Sequence, residues 1–89
     1  MAKVVGAKTQ SQLIVRNPRV QGGEPTIRGT RVPVRSIVVA RDRYGGDLAR
    51  VARAFSVDES AVRAALAFYE AHKDEIDRII AENERAIAG

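Results

Sequence analysis

The sequence predicts a mainly α-helical domain: a tri-helical helix-turn-helix unit with short N-terminal β-strands and a long C-terminal helix. Three observations carry that expectation. Leu48 to Leu66, LARVARAFSVDESAVRAAL, has apolar residues at helical spacing on either side of a tight polar turn. No Gly or Pro falls between Glu59 and Ala88, so nothing local stops the last helix. Before residue 33, apolar residues come in short runs bounded by Gly, Pro and Asn, the punctuation of strands and turns.

Taken in order, residues 1–12 are polar, small and unpatterned, and read as a flexible arm carrying Lys3 and Lys8. Leu13 to Arg16 is a run of β-formers stopped by Asn17-Pro18. Gly22-Gly23-Glu24-Pro25 is a second turn, after which Thr26-Ile27-Arg28 runs as a strand until Gly29 breaks it. The two strands pair as a hairpin or across a dimer. Val32 is pushed extended by Pro33, and proline suits the first turn of a helix. That first helix runs to about Tyr44 with Val34, Ile37, Val38 and Ala40 on one side, and Gly45-Gly46 caps its end.

Asp47 offers an N-cap for a second helix, Leu48 to Phe55, which buries Leu48, Val51, Ala52 and Phe55 and turns Arg50 and Arg53 outward. Ser56-Val57-Asp58 is the turn, with Asp58 as the next N-cap. Helix three then extends for about 28 residues, roughly 42 Å at the α-helical rise. Along it Val62, Leu66, Tyr69, Lys73, Ile76, Ile80, Asn83 and Ile87 alternate spacings of four and three, a coiled-coil seam interrupted by Lys73 and Asn83. Ile76, Ile79, Ile80 and Ile87 extend beyond anything the short N-terminal half can cover, so they are the expected partner-binding residues.

At 89 residues the chain forms one domain with a modest core, for which homodimerisation is a natural source of stability. The absence of Cys excludes disulfides and thiolate metal sites, and a cytoplasmic location fits. No apolar run approaches the roughly 18 residues of a membrane span, and the first residues lack a signal peptide's apolar block. Charge is unevenly placed: eleven basic against three acidic residues leave +8 over residues 1–57, while four basic against eight acidic leave −4 over 58–89. A basic half suits a polyanion and an acidic half a different partner.

For DNA, phosphate contacts supply most of the affinity, and side chains opening the second helix of the motif read base edges. The candidates are Arg28 and Arg31 in the Gly-flanked loop, Arg35 opening helix one, Arg50 and Arg53 on helix two, and Ser60 and Arg63 on helix three. Arg63 suits a guanine, but Asp58 and Glu59 beside it repel phosphate unless they cap the helix. The Gly pairs lack the spacing of a nucleotide loop and read as turns. His72 has no second His or Cys nearby, so no metal site or cofactor is expected, and a helix-surface hydrogen bond is the better reading. No nucleophile, base and orienting group fall together, so catalysis is not expected.

The segment Asn17 to Val34, with Gly22-Gly23, Pro25, Ile27, Gly29-Thr30-Arg31 and Pro33-Val34, followed by AVRAALAFYEAHKDEID over Ala61 to Asp77, resembles the bacterial domain-of-unknown-function family 433. The resemblance covers about Leu13 to Asp77. It implies a VapB-like antitoxin with a helix-turn-helix fold that binds operator DNA as a homodimer, represses its own transcription and neutralises a PIN-like ribonuclease toxin. The chain then divides into the arm 1–12, an antitoxin-like domain 13–77 and a helical extension 78–89, and toxin binding by the extension rests on its isoleucines. The alternative is a protein-interaction or dimerisation module with no DNA binding.

Overall fold

The computed structural model describes residues 13–88, so the expected arm with Lys3 and Lys8 lies outside the described residues. Within them, strands β1 (Ile14–Arg16) and β2 (Pro25–Ile27) precede four helices: α1 (Val34–Arg43), α2 (Leu48–Phe55), α3 (Glu59–Ala71) and α4 (Lys73–Ala88). The strands form an antiparallel hairpin within the chain, Ile14 opposite Ile27 and Val15 opposite Thr26. Its connection contains one 3-10 turn, Gln21–Gly23, where Gln21, Gly22 and Gly23 all take the left-handed backbone that glycine tolerates best.

Helix boundaries follow local chemistry. Pro33 stands extended as the residue before α1, since its ring fixes φ and it has no N–H to donate. At the other end Gly46 adopts φ +86 and donates its N–H to the Arg41 carbonyl at 2.8 Å, closing the helix. Asp47 caps α2 as expected, its carboxylate accepting the Arg50 N–H at 3.1 Å. Asp58 differs: it precedes α3 but makes no side-chain cap, and it stays exposed. Ser56, at φ 57, makes the left-handed turn between α2 and α3.

The core takes Val34, Ile37 and Val38 from α1, Val51 and Ala52 from α2, and Val62 and Tyr69 from α3 as the spacing predicts, and adds Ala61 and Ala65 from α3 and Ile27 from β2. Phe55 and Leu66 are half-buried against it.

The largest departure is at His72, where the single 28-residue helix of the sequence reading becomes two. His72 has φ −134 and ψ 40, and its N–H bonds the Tyr69 carbonyl rather than that of Phe68. The vacated Phe68 carbonyl accepts from His72 Nδ1 at 3.0 Å, and the imidazole stacks on the Phe68 ring at 4.0 Å. A side chain thus takes the place of a backbone donor and lets the chain turn. The helix-surface hydrogen bond expected for His72 is therefore present and marks the break.

Beyond the break, α4 packs back on α1. Two contacts fix its first turn: Arg16 on β1 makes a two-pronged ion pair with Glu75 at 2.6 and 2.9 Å, and the Tyr69 hydroxyl donates to Asp77 at 2.8 Å. Hydrogen bonding to Arg16 holds the Glu75 carboxyl below its ordinary range, and the bond to Asp77 raises the Tyr69 hydroxyl above its own. The result corrects the expected isoleucine stripe. Ile76 is completely buried in the chain's own core, and Ile79 and Ile80 are half-buried against it. The turn at His72 folds them inward, so Ile76 is not a docking residue. Ile87 alone of the four stands out, at 78% exposure.

Candidate nucleic-acid interface

The expected DNA ligands divide by what already holds them. Arg28 and Arg31 occupy the loop between β2 and α1, and both are exposed. The loop is braced. Thr30 Oγ1 donates to the Ile27 carbonyl at 2.8 Å and accepts the Val32 N–H at 3.0 Å; Arg28 N–H reaches the Leu13 carbonyl; Gln21 Nε2 donates to the Arg31 carbonyl at 3.0 Å. Gly29 supplies the positive φ of 79° that this turn needs. Two guanidinium groups are thus presented on a fixed backbone, and neither makes an ion pair among the described residues.

Arg50 and Arg53 lie on the outer face of α2, three residues apart and so on one side of the helix. The Arg50 guanidinium lies over the Tyr44 ring, 4.5 Å from its centroid, a contact that orients the cation while leaving its edge donors available. Arg53 is exposed and, like Arg50, outside every ion pair among the described residues.

The remaining candidates are less free. Arg35 is half-buried, its Nε donating to both Glu24 oxygens at 3.0 and 3.2 Å, so it ties α1 to the β-hairpin instead of facing solvent phosphate. A half-buried charge pair resists separation because each partner would be left without compensation. Arg63 donates to Glu59 at 2.6 Å, one turn back along α3. Glu59, expected to repel phosphate, instead pairs with the arginine that was the candidate for reading bases. Ser60, on the same turn, is exposed. Sequence reasoning missed Arg16, whose Glu75 pair and position 5.5 Å from the Phe68 ring give it a structural role.

A second surface lies beyond this face. A groove of about 460 Å³ runs between α1, the end of α2 and the second half of α4. Val39, Ala40, Tyr44, Phe55, Ile80 and Ile87 supply its apolar lining, with Arg35 and Arg43 on the α1 wall and Asn83 and Glu84 on the α4 wall. Val39 and Ile87 are the exposed large hydrophobics among the described residues, and both line it. No helix among those residues is long and apolar enough to cross a membrane, and no group of three or more His, Cys, Asp or Glu side chains is placed to hold a metal ion.

The family described as Protein of unknown function (DUF433) matches residues 14–69. The chain is also similar to the crystal structure of a DUF433 member protein from Anabaena variabilis, with 30% identity, a TM-score of 0.69, and coverage of 90% of this chain and 79% of that one. No functionally curated protein matches it.

Proposed function

The chain belongs to the DUF433 family, and we propose that it is a cytoplasmic antitoxin-type regulator that binds operator DNA through its basic face and a ribonuclease-like toxin through the exposed end of α4. One observation carries the DNA part. Arg28, Arg31, Arg50 and Arg53 are exposed, outside any ion pair among the described residues, and set on a braced loop and a capped helix. The α2–turn–α3 order is that of a helix-turn-helix, whose first helix crosses the phosphate backbone. Affinity therefore comes mainly from phosphate contacts, with Ser60 left to touch base edges.

The toxin part rests on the family resemblance, with Ile87 as the exposed apolar group available to it. Ile79 and Ile80 contribute only at the edges they leave uncovered.

A salt titration of a duplex taken from the chain's own upstream region, read by fluorescence anisotropy beside a scrambled duplex, tests the DNA reading. Four phosphate-pairing arginines per copy predict a log–log salt slope of about −3.6 for one copy and about −7 for two. Equal affinity for the two duplexes would overturn it. A protein-interaction module without DNA binding is the second reading, favoured by the apolar groove. It gains if anisotropy shows no binding while a co-expressed toxin is still neutralised.

A further inference from the structure

We infer that, in the toxin-free protein, the groove between α1, α2 and α4 is filled by the second half of α4 from another copy of this chain, making a two-fold dimer. The inference rests on the reading above only in treating this face as protein-binding. It names the first occupant as the chain itself.

Self-complementarity is the argument. Ile80, Asn83 and Ile87 lie at spacings of three and four on one stripe of α4, and the same three residues line the groove. In a two-fold interface each element is ligand and receptor at once, so a stripe that borders its own groove is placed to enter its copy's. Ile87 then covers the Val39, Tyr44 and Phe55 surface that its own chain leaves open. Asn83 is half-buried on that stripe, where a polar seam residue fixes register and restricts the number of chains.

The charges agree. Arg43 on the α1 wall and Glu84 on the α4 wall face the same groove, yet they are not paired with each other or with any other described residue. A helix inserted antiparallel between the walls brings each opposite its counterpart on the second copy, Arg43 to Glu84 and Glu84 to Arg43. Area sets a further condition: a stable interface takes roughly 800 Å² from each partner. Reciprocal insertion engages the α1 wall as well as the α4 stripe of each copy, since both line the groove.

The test is the mass of the full chain by light scattering after size-exclusion chromatography, without DNA or toxin. Wild type at tens of micromolar should give twice the 9.7 kDa of one chain. Ile87→Glu should give a single chain with unchanged helical circular dichroism, since Ile87 is largely exposed and not part of the core. Arg43→Glu and Glu84→Arg alone should each weaken dimerisation about tenfold or more, and the double exchange should restore it. A monomeric wild type overturns the proposal, as does an Ile87→Glu chain that dimerises as tightly as wild type or a double exchange that restores nothing. Because no DNA is present, these outcomes are independent of the duplex titration.

Discussion

Ile76 and Ile87 sit eleven residues apart on α4, on one apolar stripe, and replacing each by alanine separates core from surface. Ile76 is fully buried beneath α1 and Ile87 is 78% exposed. Ile76→Ala deletes three buried carbon groups, about 2.4 kcal/mol of transfer free energy at roughly 0.8 kcal/mol each. The cavity left behind raises the cost to about 3–4 kcal/mol. A domain of this length has on the order of 4–13 kcal/mol in total, so the change removes about a quarter or more of it. Ile87→Ala removes the same atoms from a site already in water and should cost about 0.5 kcal/mol or less. Thermal unfolding followed by circular dichroism, at one low concentration so that association contributes little, should put Ile76→Ala about 15 °C or more below wild type and Ile87→Ala within about 4 °C. An Ile76 variant within about 1 kcal/mol of wild type, or an Ile87 variant as damaged as it, would refute the placement of α4 on the core.

Two further outcomes follow from the contacts that frame this packing. Glu75 has its folded-state pKa depressed by Arg16, so the pair's contribution is complete above the ordinary carboxylate pKa of about 4.3 and is lost as pH falls through the lower folded value. Denaturant titrations of wild type and Glu75→Gln should therefore differ by up to about 1 kcal/mol at pH 7, a partly exposed pair being screened, and should converge as pH falls below the depressed folded-state value. Asp47→Ala removes the cap on the Arg50 N–H and should lower stability by about 1 kcal/mol, whereas Asp58→Ala, which removes no cap, should cost clearly less in the same titration.

What was legible in the chain was what neighbours along it decide. The strands over Ile14 and Ile27, the Pro33 start of α1, the glycine end at Gly45-Gly46, the Asp47 cap and the limits of α2 all depend on residues within a turn of one another. The break at His72 was not legible, because no Gly or Pro announces it. His72 exchanges a backbone donor for its own ring nitrogen, and the turn is held by Arg16, which is 59 residues from Glu75. Helix propensity favours continuation, and burial of Ile76 overrides it. The candidate site was half legible for a related reason. Sequence displays cations but not which carboxylates neutralise them. Glu24 reaches Arg35 from eleven residues away across a folded hairpin. Glu59 and Arg63 are different: an i,i+4 pair on a helix is visible in the sequence alone, and it was the signal that could have discounted Arg63.

That pair also decides whether α3 meets DNA. Glu59 and Arg63 are both substantially exposed, so their attraction stabilises the helix by only about 0.3–0.5 kcal/mol, with a further 0.3–1 kcal/mol from a carboxylate in the first turn. Glu59→Gln therefore leaves the fold intact while removing one negative charge and releasing one guanidinium. If the start of α3 lies against the duplex, each copy gains one phosphate contact: the salt slope steepens by about 0.9 per copy, and affinity near 0.1 M salt rises on the order of tenfold. Arg63→Gln in the wild-type background should then change little, since its partner already neutralises it. The two substitutions are informative together, because a cation held by a carboxylate is latent, whereas one that never faces DNA is inert in both. Unchanged affinity and slope for Glu59→Gln would exclude α3 from the interface and leave the Arg28–Arg31 loop and the outer face of α2 as the DNA-contacting surface. In that case the turn between α2 and α3 serves to build the core, and its likeness to a DNA-reading unit is one of packing alone.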